Sequence, residues 1–120
     1  MRMRQLEHLS QVALFRWAGY QTKRLPELAL MFAIPNGGHR SKATAGKLKA
    51  EGVKAGVPDI CLPVARGEYH GLWIEMKAGK NRPTQGQAAW HVHLSAEGYR
   101  VAVCWSWEAA RDLIEEYLRG

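Results

Sequence analysis

Apolar residues recur at helical spacing from the start of the chain: Leu6, Leu9, Val12, Ala13, Leu14, Phe15 and Trp17 fall within residues 5 to 20. Gly19 stands where a C-terminal cap belongs, so an opening helix ending there is expected. After a Pro-containing connection, the continuous apolar run from Leu28 to Ile34 reads as a buried strand, closed by the turn Pro35-Asn36-Gly37-Gly38. Ser41 can cap a second helix through about Glu51, with Gly52 as its stop.

Two more apolar runs, Asp59 to Val64 and Leu72 to Met76, are separated by the turn-like Arg66-Gly67-Glu68 and read as adjacent antiparallel strands. Thr84-Gln85-Gly86-Gln87 begins a helix to about Glu97, Gly98 ends it, and Tyr99 to Trp105 forms a fourth strand. Ser106 caps a last helix reaching Leu118. No repeat or low-complexity linker interrupts this order. It predicts one α/β domain over residues 1–120, with three layers around a mixed sheet of about four strands.

Composition narrows the function classes. A 120-residue chain that is 47% hydrophobic can bury a core without staples, and a formal charge of +6 favours a polyanionic partner. No apolar run approaches the roughly 20 residues of a membrane span, and the N-terminus lacks the apolar stretch of a signal peptide. A soluble protein of a bacterial or phage-infected cytoplasm, without membrane partner or small-molecule cofactor, is the expectation. Cys61 and Cys104 each sit in an apolar run, as two buried thiols rather than a bridge. His91 and His93 are the one suggestive His pair, but on a helix they point roughly 200° apart and cannot share a metal.

The chemistry concentrates in the third strand. Its period of two puts Trp73, Glu75 and Lys77 on one face and Leu72, Ile74 and Met76 on the other. If the two central strands pair as a hairpin, Asp59 at the start of one lies beside Glu75 and Lys77 at the end of the other. Two close carboxylates repel, and Mg²⁺ or Mn²⁺ relieves that repulsion while retaining waters for chemistry. Phosphodiester hydrolysis suits such a site: the cation polarises the phosphate, and Lys77 orients the water or stabilises developing charge. The Met76 backbone carbonyl is a further candidate oxygen ligand. The bland alternative is a same-face Glu75–Lys77 ion pair with Asp59 merely following a turn.

Gly56-Val57-Pro58-Asp59, then Trp73-Ile74-Glu75-Met76-Lys77, then Thr84-x-x-Gln87 resemble, in order and approximate spacing, the motifs of the VRR-NUC (virus-type replication-repair nuclease) family, a branch of the PD-(D/E)XK nucleases. The resemblance spans nearly the whole chain and takes in Glu7-x-x-x-Gln11 and Pro35-Asn36-Gly37-Gly38. It implies a restriction-endonuclease-like α/β/α fold, a divalent metal held by Asp59, Glu75 and the Met76 carbonyl, and Lys77 in the water-activating role. It also implies Glu7 and Gln87 as site-lining residues, Glu7 reaching the metal through water. Each has a structural competitor: Glu7 complementing a helix dipole, and Gln87 completing a capping box with Thr84.

Between His39 and Lys54, Arg40, Lys42, Lys47, Lys49 and Lys54 face only Glu51, a local balance of +4. This basic strip is expected to contact DNA, with Asn36, Gly37, Gly38 and His39 presenting backbone N–H groups to a phosphate and Lys80 and Arg82 approaching the same strand. Trp73, Trp105 and Trp107 read as core or interface rather than stacking platforms. Stand-alone members of the resembled family are similar to resolvases that act as homodimers on branched DNA such as four-way (Holliday) junctions, and relatives in larger proteins serve DNA repair. The leading expectation is therefore a Mg²⁺- or Mn²⁺-dependent, structure-selective endonuclease. Its rivals are a non-catalytic nucleic-acid-binding module with structural carboxylates, and an enzyme acting on another phosphate ester.

Overall fold

The computed structural model describes residues 2–35 and 41–120. Helix α1, Met3–Gln21, buries Leu14 and Ala18 against the sheet and the last helix. It runs two residues past Gly19, the expected stop, and ends at Thr22. Nothing lies within 4 Å of a Cβ built at Gly19, so that glycine neither turns the chain nor admits a close neighbour. Tertiary packing carries the helix through a residue of poor helix propensity.

Residues 26 to 34 depart most from expectation. Instead of one buried strand, Pro26–Leu30 forms a short 3₁₀ helix and only Phe32–Ala33 (β1) is strand. Pro26 suits a first helical turn, where its missing N–H has no partner to lose. Leu28 and Met31, three residues apart, turn inward, whereas Leu30 and Phe32 stay exposed. A continuous apolar run thus hides a one-sided helical turn followed by an edge strand.

The sheet is mixed, with order β1-β2-β3-β4. Strand β2, Ile60–Leu62, pairs antiparallel with β1 and with β3, Leu72–Met76. Strand β4, Arg100–Cys104, runs parallel to β3 and is reached through α3, Gln85–Ala96. Helix α4, Trp107–Arg119, ends the chain and packs on α1 and β4. The inward residues Leu14, Ile60, Leu62, Leu72, Ile74, Met76 and Ile114 are all below 2% exposed, each worth about 1.5–3 kcal/mol of burial. Tyr117 on α4 donates its hydroxyl to the Val64 carbonyl at 2.6 Å, so its polar tip is satisfied inside the core.

These elements make the three-layer α/β fold expected from the sequence: α1 and α4 cover the Leu72, Ile74 and Met76 face of β3, and α3 reaches the Glu75 face. Cys61 and Cys104 are free and buried in strands on either side of β3, and burial pushes both thiols up to about 11. Helix α2, Lys42–Ala50, is capped by Ser41, whose hydroxyl accepts the Thr44 N–H at 3.1 Å. No residue of α2 is buried, which leaves its lysines in solvent. No described helix is long and apolar enough to cross a membrane.

Candidate active site

The β2–β3 register sets Ile60 opposite Ile74, so continuing it by one residue brings Asp59 opposite Glu75. Asp59 lies just before β2 rather than within it, in a bend. Released from the ladder, its side chain accepts the Met76 backbone N–H at 2.7 Å. The segment before it is pinned on the other side: Trp90 of α3 donates its indole N–H to the Ala55 carbonyl at 3.1 Å. Gly56, with φ of +91°, lets α3 come so close that a Cβ would stand 3.1 Å from the Gly86 carbonyl oxygen.

Glu75 is 1% exposed and Lys77 is 8% exposed, on the strand face expected from the period of two. Helix α3 holds both oxygens of Glu75: Gln87 Nε2 lies 3.4 Å from Oε2, and His91 Nε2 lies 3.3 Å from Oε1. Gln87 and His91 are one helical turn apart and therefore share a face. Gln87 also completes a capping box, its Oε1 accepting the Thr84 N–H at 2.9 Å while the Thr84 hydroxyl accepts the Gln87 N–H at 3.2 Å. Capping and site-lining thus coexist in one side chain, because its two ends do different work.

The electrostatics are those of an over-acidic pocket. Burial, a hydrogen bond to Asp59 and the charge of Asp59 push the Glu75 carboxyl up to about 9, with Glu7 adding to the rise and Lys77 opposing it. Burial and the Lys77 ammonium together hold His91 below the usual imidazole range, against a smaller opposing pull from Asp59. The His91–Glu75 contact is accordingly a hydrogen bond of a neutral ring rather than an ion pair. Glu7 enters from α1, where Asn81 Nδ2 donates to its Oε2 at 3.0 Å. Since α1 begins at Met3, Glu7 lies beyond the first turn and is badly placed to complement the helix dipole.

The structure therefore gathers Glu7, Asp59, Glu75, Lys77 and Gln87 at one end of β3, together with His91, which the sequence reading assigned no role. Its signal in the sequence is the four-residue step from Gln87 to His91, which places both on one helix face. His93 is exposed on another side of α3. Three carboxylates facing one ammonium leave negative charge that a hard divalent cation fits, and oxygen donors from Asp59 and Glu75 suit Mg²⁺ or Mn²⁺. Among the described residues no group of three His, Cys, Asp or Glu forms a ready-made cage. An ion held here would rely on two carboxylates, with water and substrate oxygens completing its shell, as Mg²⁺ commonly does.

Of the expected DNA contacts, Lys42, Lys47 and Lys49 are exposed along α2, and Lys80 and Arg82 are exposed in the loop after β3. None forms an ion pair with a described residue. Asn36, Gly37, Gly38, His39 and Arg40 lie outside the described residues. Trp73 packs edge-on against Tyr99 and Trp107 packs on the core, but Trp105, for which core or interface was expected, is 43% exposed and so is not in the core. Strand β4 ends at Cys104, one residue before it, so Trp105 leaves the sheet instead of closing it.

Comparison with known proteins bears on the family and the fold. The VRR-NUC domain family matches residues 5–107. A solved structure described as "VRR_NUC domain protein" is 31% identical, with a TM-score of 0.74 over 94% of this chain and 88% of that one. No curated protein matches the chain.

Proposed function

The chain belongs to the VRR-NUC family, a nuclease domain of PD-(D/E)XK type, and from that premise we propose that it is a Mg²⁺- or Mn²⁺-dependent endonuclease that hydrolyses DNA phosphodiesters around Asp59, Glu75 and Lys77. The observation that carries this reading is the buried Glu75 carboxylate, 1% exposed, beside Asp59 and Lys77 on the end of β3. Without a charged ligand to serve, burying that acid against a second one is a cost to the fold.

Asp59 and Glu75 would hold the cation, with the Met76 carbonyl as a further oxygen and Glu7 acting through water. When bound, the cation supplies charge neutralisation and Lewis-acid polarisation of the scissile phosphate. Lys77 carries three donors on a side chain held by its burial, and orients the attacking water while stabilising charge that develops on the phosphate oxygens. Gln87 and His91 fix the rotamer of Glu75 from α3. Asn81 fixes Glu7, and the exposed Lys42, Lys47 and Lys49 draw the polyanion to the domain.

The substrate in this reading is branched DNA such as a four-way junction, cut by a homodimer that presents two sites. Exposed Leu30 (56%) and Phe32 (47%), beside the sheet edge at β1, supply an apolar surface for pairing. Cleavage of plasmid, flap and junction DNA with Mg²⁺, Mn²⁺ or EDTA tests the proposal, with Asp59→Ala as control. Light scattering at micromolar concentration tests the dimer. Metal-independent cleavage, or full activity in the variant, would overturn the catalytic assignment.

A further inference from the structure

Past Lys77 the chain leaves β3 and turns through residues 78 to 83 before α3. There a concave space of about 630 Å³ is lined by Gly79, Lys80, Arg82 and Trp105. Trp105 reaches it from the end of β4 and is 43% exposed, a large apolar area to leave in water. Its only polar atom is already used: Nε1–H donates to the Asn81 carbonyl at 2.8 Å. What remains free is the flat ring, held by that bond. Lys80 and Arg82 are exposed beside it, and neither pairs with a described acid.

An aromatic plane with two cations in one recess matches the two halves of a nucleotide, a base that stacks and a phosphate that needs neutralising. Bases within a duplex are stacked on their own neighbours, so only an unpaired or splayed base has a face to offer. Position ties the recess to the catalytic centre. Lys80 is three residues beyond Lys77, about 10 Å at most in extended chain. Asn81 accepts from Trp105 through its backbone and donates to Glu7 through its side chain. The stacking ring and a carboxylate of the acidic pocket thus hang on one residue.

We infer that Trp105, Lys80 and Arg82 form a subsite for an unpaired nucleotide of the strand being cut, a few nucleotides from the scissile phosphate. This rests on the nuclease reading above for its location on the substrate, and it narrows the substrate to DNA with locally unpaired bases.

The test separates stacking from charge. Binding of a fluorescently labelled single strand is compared with that of a strand of equal length made of abasic residues, by anisotropy in EDTA, for wild type, Trp105→Phe, Trp105→Leu and the Lys80→Ala/Arg82→Ala double variant. Both Trp105 variants lose the bond to Asn81 and keep apolar bulk, so they differ in the aromatic face alone. The wild type is expected to prefer the base-bearing strand by roughly tenfold. Trp105→Phe keeps most of that preference, Trp105→Leu abolishes it, and the double variant weakens both strands alike with a shallower salt dependence. An equal preference in Trp105→Leu and Trp105→Phe overturns the inference, as does a wild type that binds both strands equally. If the base preference holds but no DNA is cleaved with either cation, the catalytic reading falls and the subsite stands. If cleavage holds without the base preference, the reverse follows.

Discussion

The Asp59 carboxylate accepts the Met76 backbone N–H at 2.7 Å, so the acid that opens the second strand is fixed to the end of the third. The same carboxylate also hydrogen-bonds the Glu75 carboxyl, so Asp59 serves both the backbone and the acidic pocket. Asp59→Asn keeps an acceptor for Met76, whereas Asp59→Ala leaves that N–H unpaired in a part-buried place, a loss of about 1–3 kcal/mol. Both are expected to lose catalysis by a hundredfold or more, the order seen when one group that stabilises transition-state charge is removed. Only Asp59→Ala should also lose stability in urea. Comparable activity in Asp59→Asn and wild type would show that the charge at Asp59 is dispensable.

Glu75 gives the site a pH signature. Its carboxyl is raised from 4.5 to about 9, so between those values the folded protein keeps a proton that the unfolded chain has released. The stability this proton supplies is complete below pH 4.5 and is lost as pH rises towards 9. Melting of the metal-free protein should therefore drop by about 5 °C or more from pH 6 to pH 9, and Glu75→Gln should flatten that slope. A cation bound there would displace the proton, so stabilisation by millimolar Mg²⁺ or Mn²⁺ should be greater at pH 8 than at pH 6. An unchanged slope in Glu75→Gln would assign the pH dependence to other groups.

Gln87 combines two roles that Thr84 can separate. Thr84→Ala removes the capping bond to the Gln87 N–H without touching Glu75, at a cost of about 1 kcal/mol. Activity per folded molecule should stay near wild type. Gln87→Ala keeps that bond but loses the reciprocal half of the capping box, in which its Oε1 accepts the Thr84 N–H, together with the contact to Glu75 Oε2, and His91→Leu loses the contact to Oε1 alone. Each should weaken Mn²⁺ binding, measured by calorimetry, by several-fold. If Thr84→Ala loses as much cation affinity as Gln87→Ala, helix capping rather than side-chain contact explains the effect.

The meeting of Asp59, Glu75 and Lys77 at one end of β3 was readable because it depends on strand periodicity and hairpin direction, both local properties of Pro58-Asp59 and Trp73 to Lys77. Helix caps at Ser41, Thr84 and Ser106 were readable for the same reason, since a hydroxyl meets an N–H three residues on. The 3₁₀ turn at Pro26–Leu30 was not, because a run apolar on every side carries no period to separate helix from strand. His91 was hidden differently. Its importance comes from which face of α3 meets β3, a tertiary fact that single-helix geometry leaves open. Trp105 likewise continues an apolar run, and only the end of β4 at Cys104 turns it outward.

Two glycines in left-handed backbone allow a last comparison. Gly79, at φ +56°, and Gly56, at φ +91°, both resist a side chain, but what a Cβ would meet differs. At Gly79 the obstacle is the Met3 Cε methyl, the tip of an exposed and flexible side chain that can swing aside. Gly79→Ala should therefore cost only its backbone strain, about 1–2 kcal/mol, and adding Met3→Ala should recover little. At Gly56 the obstacles are the Gly86 carbonyl at 3.1 Å and Trp90 Cδ1 at 2.9 Å, the latter held by its bond to Ala55. Neither can retreat without moving α3 away from Glu75. Gly56→Ala should thus lose more stability than Gly79→Ala and also lower kcat, since Asp59 follows three residues later. Urea denaturation and cleavage rates for the two variants check this order, and equal losses would mean that the α3 contact at Gly56 is as yielding as a surface methionine.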